Sequence, residues 1–262
     1  MRLFTFGCSF TWWPWPTWAD IIGHELQIPY FNWGHCGLGN VAIHSRMLEC
    51  DLQNKFEKDD IILAVWSSWT REDRYDVNHT IFPRPNWNST GDILYSYDKK
   101  FVDNYWSVNN DLIKNSTAII SANKMFDIKF NGHIAKPLSD SYDDESLYFT
   151  DHEKTIAKFY QPHIPNDGEY EENKKHRCNY PNVNDSHPDI LAHLDYVQEF
   201  LAPKLNITLS KITIDFFTEM HYYLYDFTEN NMDESDGDDF RRRLPDVFEK
   251  FNWKNAHIEG FK

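Results

Sequence analysis

The sequence predicts an α/β fold, a three-layer doubly wound sandwich around a central, mostly parallel sheet. Three features of its first third predict it. Leu3 to Gly7 is a short apolar run that ends on glycine, as a strand entering a turn does. Ile61 to Trp66 is apolar without interruption, the pattern of a strand covered on both faces of a parallel sheet. Between them lie two segments of helical periodicity separated by another short strand, so the order is strand, helix, strand, helix, strand.

Each element has its own local reason. Thr17 is a cap for a helix reaching Leu26, in which Trp18, Ile21, Ile22 and Leu26 recur at helical spacing and form a core-facing stripe. Ile28 to Phe31 suits the second strand. Asn32 to Asn40 is a loop holding Gly34, Gly37 and Gly39, and Val41 to Lys55 is the next helix. Beyond the third strand, Arg71 to Tyr97 is rich in Pro, Asn and Trp and reads as a long ordered loop. Lys99 to Met125 reads as helix and Phe126 to Ile134 as a region containing a strand. Residues 139–183 are polar and read as an insertion over one end of the sheet. Leu191, Leu194, Val197 and Leu201 share one face of an amphipathic segment from Ile190 to Leu201. Ile212 to Phe227 is strongly aromatic and fits helix or strand. Asp233 to Asp239 and Arg241 to Arg243 are charge runs of the kind that solvated surfaces carry. The resulting division is a core domain over 1–205, with the insertion around 139–183, and a C-terminal extension over 206–262.

Composition narrows the function. The 262 residues carry a formal net charge of −15, a field that repels polyphosphate, so nucleic acid is not an expected partner. No apolar run is long enough to span a bilayer and no basic amphipathic stretch marks a membrane surface. The N-terminus reads as a strand rather than a signal peptide, and four scattered cysteines suit a reduced, cytoplasmic protein. The 10 Trp, 14 Tyr and 19 Phe exceed what a core of this size readily hides, which points to some aromatics lining a groove.

Two segments carry the chemistry. Phe6-Gly7-Cys8-Ser9-Phe10-Thr11 puts a serine just past the first strand, at the end of the sheet where open α/β folds bind ligands. Asn184-Asp185-Ser186-His187-Pro188 puts an imidazole beside a carboxylate and ahead of a helix. A serine becomes a nucleophile when a base removes its proton, and a histidine oriented by an acid is the usual base.

In order and spacing these segments resemble the SGNH (GDSL-like) hydrolase family. Gly7-Cys8-Ser9-Phe10-Thr11 resembles its nucleophile block, and Trp15 to Ala19 its first helix. Asn32 and Gly37 resemble its second block, and His187, Pro188 and His193 its last. The resemblance covers 1–205 in outline and is densest over 1–70 and 184–200. It implies an SGNH/flavodoxin-like fold, Ser9 as nucleophile, His187 as general base and the backbone N–H groups of Ser9 and Gly37 as oxyanion donors. Two positions depart from the family. Its third block has Gly-x-Asn-Asp, but here Trp69 stands at the asparagine, leaving the indole N–H, Ser67 or Ser68 as the replacement donor, with Ser68 the one taken forward. The family acid lies three residues before the histidine, where this chain has Asn184. Asp185, one residue later, is the favoured partner.

The expectation is a cofactor-free, metal-independent serine hydrolase acting on a small ester or an acylated glycan. Trp12, Trp13, Trp69 and Arg71 are its candidate substrate contacts. The rival expectation is a scaffold of the same fold that has lost the reaction and binds a partner or forms a homo-oligomer through 206–262. For a phage-encoded chain that would mean association with the virion.

Overall fold

The computed structural model describes residues 1–75, 87–92, 99–133, 180–183, 185, 187–232, 244 and 248–251. The expectations for Asn184, for most of the 139–183 segment and for the charge runs at 233–239 and 241–243 lie outside those residues.

The fold is mixed α/β with a central, all-parallel sheet of four strands. Those strands are β1 (Leu3–Gly7), β2 (Tyr30–Asn32), β3 (Ile61–Trp66) and β6 (Ile128–His133), in the order β2-β1-β3-β6. A separate antiparallel pair, β4 (Arg71–Tyr75) and β5 (Trp87–Asp92), completes the strands described. The helices are α1 (Trp18–Leu26), α2 (Asn40–Asn54), α3 (Lys99–Tyr105), α4 (Val108–Met125), α5 (Ile190–Tyr196) and α6 (Lys211–Asn231). A π-helical stretch Val197–Leu201 and a last turn Ala202–Lys204 extend α5. No helix among the described residues is long and apolar enough to cross a membrane.

The chain divides into two compact units. The first comprises Met1–Trp12 and Phe31–Thr155, the second Trp13–Tyr30 and Ile156–Lys262.

In the first unit, β1 and β3 pair in parallel register from Leu3 opposite Ile61 to Gly7 opposite Val65. All five residues of β1 and five of the six in β3 are buried, as sheet strands covered on both faces must be. Beyond β2 the chain keeps running beside β1, through Trp33 N–H to the Thr5 carbonyl (2.8 Å) and His35 N–H to the Gly7 carbonyl (3.1 Å). Helix α2 packs against β1 and α4. The segment expected to be an extended loop, 71–97, instead contains β4 and β5. Their sequences, Arg-Glu-Asp-Arg-Tyr and Trp-Asn-Ser-Thr-Gly-Asp, are polar and show no apolar alternation, because these strands are held by pairing with each other. The single helix expected over 99–125 is interrupted at Trp106 and Ser107, where the Ser107 hydroxyl accepts the Asn110 N–H and caps α4.

In the second unit, α1, α5 and α6 pack on one another. Thr17 caps α1 as expected, and the Asp20 carboxylate returns the bond by accepting from the Thr17 N–H (2.8 Å) and hydroxyl (3.0 Å), which is a capping box. Pro203 explains the π-helical stretch: it has no N–H to offer the Glu199 carbonyl, and upstream the Ala202 N–H bonds to the Val197 carbonyl, five residues back. The aromatic segment 212–227, open to either reading, is helix α6. It buries Phe217, Met220, His221 and Leu224 at helical spacing.

Among the described residues, six of the eight tryptophans with described side chains are buried (Trp13, Trp15, Trp18, Trp33, Trp66 and Trp69), so the core takes up more of the aromatic content than composition suggests.

At Gly7 the chain has no room for a side chain. A Cβ there would lie 2.0 Å from Thr11 Oγ1 and 2.8 Å from the Val65 carbonyl oxygen. Gly7→Ala is therefore expected to destabilise the protein by about 1–3 kcal/mol through overpacking, read as a lower urea midpoint at unchanged m-value.

Candidate functional site

The candidate residues divide between the two units, and each group has its own geometry.

In the first unit, Ser9 follows β1 in a tight turn. The Thr11 and Trp12 N–H groups both bond to the Cys8 carbonyl, at 2.9 and 3.1 Å, so the turn uses those two amides and not that of Ser9. Ser9 is 3% exposed. The turn is tied to the second glycine-bearing loop by Asn32, whose Nδ2 donates to the Thr11 carbonyl (2.8 Å) and whose Oδ1 accepts the Gly34 N–H (2.9 Å). Gly37 in that loop has φ 77°, the left-handed region that glycine enters without strain. Trp12 lies flat on His35, with ring centroids 5.4 Å apart and planes 7° from parallel. Burial, and then the Arg46 charge, lowers the pKa of His35, so that ring is neutral at pH 7.

The segment after β3 is held by two buried asparagines. Asn40 Oδ1 accepts the Ser67 N–H (2.7 Å), while its Nδ2 donates to the Ser67 carbonyl (3.2 Å) and to Asn115 Oδ1 (2.6 Å). Asn115 Nδ2 in turn donates to the carbonyls of Trp69 (3.0 Å) and Asp111 (2.7 Å). Ser67 and Trp69 are buried on either side of Ser68, which is half-buried and bonds through Oγ to Thr70 Oγ1 (3.0 Å). Trp69 thus faces the interior. Arg71 donates to the Leu38 carbonyl (3.2 Å). Asp73, two residues on, caps α2 by accepting the Gly39 and Ala42 N–H groups at 2.7 and 3.0 Å.

In the second unit, Asp185 and His187 form a bonded acid–base pair. One oxygen, Asp185 Oδ1, accepts the His187 backbone N–H at 2.8 Å and contacts His187 Nδ1 at 2.6 Å. That is an Asx-turn with a histidine at its third position, and it explains how the Asp-x-His spacing works. With Nδ1 protonated toward the carboxylate, the neutral imidazole carries its lone pair on Nε2. The Trp13 ring stacks on the imidazole, centroids 3.4 Å apart. His193, the second histidine of the block, is 1% exposed, and neither of its ring nitrogens has a hydrogen-bond partner among the described residues. Burial, and then the neighbouring His187, pushes its pKa down to about 3.

Sequence reasoning reached the Asp185–His187 pair and the Ser9 turn. It missed Asn40, Asn115 and Asp73. Asn40 opens a helix after glycine and looks like an ordinary helix start, and nothing in the sequence links it to Ser67 or Asn115. Among the described residues, no group of three or more His, Cys, Asp or Glu side chains converges as a metal ion would require.

Comparison with protein-family models gives no match, and comparison with curated proteins gives none.

Asn40→Ala leaves the Ser67 N–H and the Asn115 amide oxygen buried without their partner. The expected cost is about 2–4 kcal/mol, measured by urea unfolding. His193 predicts a pH dependence. Its folded-state pKa is below the unfolded value of 6.5, so folding excludes a proton the unfolded chain takes up, and stability is lost as pH falls from about 6.5 toward about 3. His193→Leu removes that loss. Relative to wild type it should gain about 2 kcal/mol between pH 7 and pH 5, read from unfolding curves at the two pH values.

Proposed function

We propose that the protein is a serine hydrolase of the SGNH type that cleaves an ester or O-acyl group. The observation that carries this reading is the Asp185–His187 pair, an imidazole whose Nδ1 is committed to a carboxylate and whose Nε2 is thereby made the proton acceptor. The reading also takes the fold to be the three-layer doubly wound arrangement, with 206–262 as an extension beyond it.

In the proposed reaction the Ser9 hydroxyl attacks the acyl carbonyl while His187 Nε2 takes its proton. The resulting imidazolium is balanced by Asp185. The proton then passes to the leaving alkoxide, and the acyl group stays on Ser9 Oγ as an ester. Water repeats the sequence with His187 again as base, releasing the acid and restoring the serine. The oxyanion is met by the backbone N–H groups of Ser9 and Gly37 and by the Ser68 hydroxyl. Ser68 is the residue of the 67–69 segment with solvent access, since Ser67 and Trp69 are buried. A single such donor contributes about 10²–10³ in turnover. The substrate class is a small ester or an acylated glycan. Trp12, half-exposed on its His35 stack, is the aromatic best suited to meet a sugar ring.

A second reading, a scaffold of this fold that binds a partner instead of turning over substrate, is favoured by two observations. Ser9 is 3% exposed, and α6 presents Ile212 and Tyr222 to solvent, 76% and 57% exposed.

Labelling with a fluorophosphonate separates the two. The hydrolase reading expects covalent labelling of the wild type, none in Ser9→Ala, and labelling slowed by about 10³-fold or more in His187→Ala. It expects Asp185→Asn to slow labelling strongly and Asn184→Ala to leave it unchanged. A folded wild type that takes no label, with no turnover of acetyl or short acyl esters, favours the scaffold.

A further inference from the structure

We propose that Trp13 is a positioning residue for His187, holding the plane of its ring, rather than a surface on which substrate stacks. This rests on the hydrolase reading, in which His187 is the base.

Asp185 leaves one freedom of the imidazole unrestrained. A hydrogen bond to Nδ1 selects which nitrogen carries the proton only while the ring stays in line with the carboxylate, and that bond by itself lets the ring swing out of line. The indole of Trp13 supplies the missing constraint. Its ring lies 3.4 Å centroid to centroid from the imidazole, with planes 21° apart, which is close face-to-face contact. Any rotation of the imidazole out of its plane drives an edge into the indole. Asp185 therefore sets the direction of the ring and Trp13 its plane, and two constraints of different kind leave one orientation for Nε2.

Trp13 is itself held. It meets Trp15 edge-on, centroids 5.9 Å apart and planes 82° apart. Trp15 Nε1–H donates to the carbonyl of Pro188, the residue next to His187. Trp15 also meets Tyr180 edge-on at 5.7 Å, and the Tyr180 hydroxyl accepts the Ile190 N–H at 3.3 Å and lies 3.3 Å from His221 Nδ1. The segment bearing the acid and the base is thus fastened at Pro188 and at Ile190 by aromatic side chains, and Trp13 stands on the same assembly.

The competing role, stacking on a sugar, needs an open indole face. Trp13 is 5% exposed, with the imidazole on one side and Trp15 at its edge. Little area remains for a ligand. Trp12, the adjacent residue in sequence, is half-exposed and does not share this restriction.

The test uses the full chain with ¹⁵N-labelled histidine, in wild type, Trp13→Phe and Trp13→Leu, together with the fluorophosphonate as probe. At alkaline pH the His187 nitrogens of wild type and of Trp13→Phe, which keeps a ring to stack on, should show one tautomer, protonated at Nδ1. Trp13→Leu should show the averaged signals of two tautomers. Its maximal phosphonylation rate should fall about 10–100-fold, as a misplaced catalytic group does, at unchanged half-saturating probe concentration, and Trp13→Phe should restore most of the rate. Two results would overturn the proposal: a Trp13→Leu protein that keeps the single tautomer and the wild-type rate, or one in which only the half-saturating concentration rises, the mark of a substrate contact. If Trp13→Leu does not fold, Trp13→Met serves in its place. A wild type that takes no label would end the hydrolase reading, and the tautomer measurement would still decide whether Trp13 orients His187.

Discussion

The chain has no space for a side chain where β1 ends, and the geometry of the first unit follows from that close approach. Because Gly7 lies against both Thr11 and the Val65 carbonyl, the segment after the strand turns back on itself instead of running on. The turn puts Thr11's carbonyl within reach of Asn32, and Asn32 then fixes Gly34. The next amide, His35 N–H, returns to the Gly7 carbonyl. These short contacts bind the serine-bearing turn and the Gly34–Gly37 loop to the same end of β1. A larger residue at position 7 would disturb all of them together, since each relies on the backbone path that glycine permits.

How much of this was legible in the sequence depends on which force holds each part. Elements held by burial were readable. Leu3–Gly7 and Ile61–Trp66 stand out as apolar runs and appear with those bounds. The stripe of α1 and its Thr17 cap are likewise local signals, and they hold. The second strand was placed about two residues early, because Ile28 and Pro29 extend the apolar run beyond the part that pairs. Elements held by partners remote in sequence were not readable. The strands β4 and β5 are polar, so only pairing with each other identifies them. Asn40 and Asn115 are 75 positions apart, and no periodicity connects them. The Asp185–His187 pair lies between these cases. An Asx-turn is local, so the spacing of two residues was enough to make the pair a candidate, although the stacking of Trp13 on it was not. The sequence offers Trp13, close after Ser9, as a candidate substrate contact, and in the structure its ring stacks on His187.

Burial also governs two titratable groups of the second unit, Asp20 and His193, and it acts in opposite directions on the acid and the base. Asp20 is buried, and desolvation pushes its pKa up to about 7 despite the bonds from Thr17 and Tyr30 that favour the anion. Its folded-state value lies above its unfolded one. It therefore contributes stability that is fully present below about 4 and is lost as pH rises through about 7. His193 carries the opposite slope, losing stability as pH falls below about 6.5. The two slopes overlap between those limits and partly cancel. A protein with a net charge of −15 thus holds two of its buried titratable groups in or near their neutral forms around pH 7. The mechanism is the cost of desolvating charge, the largest cause at both groups.

The arrangement around His187 shows why an acid and a base two residues apart can suffice where many sites recruit them from distant segments. A carboxylate from elsewhere in the chain must be brought to the imidazole by tertiary packing, and any shift of either segment breaks the bond. Here Asp185 Oδ1 accepts both the backbone N–H and Nδ1 of the same residue, so the turn that positions the backbone also positions the acid. Tertiary packing then has only to fix the turn as a body and to hold the plane of the ring. Trp15 at the Pro188 carbonyl and Tyr180 at the Ile190 N–H do the first, and Trp13 does the second. A neutral histidine behind the pair fits the same logic. In the proposed reaction His193, with its pKa near 3, places no positive charge next to the imidazolium of His187, to which Asp185 is bonded.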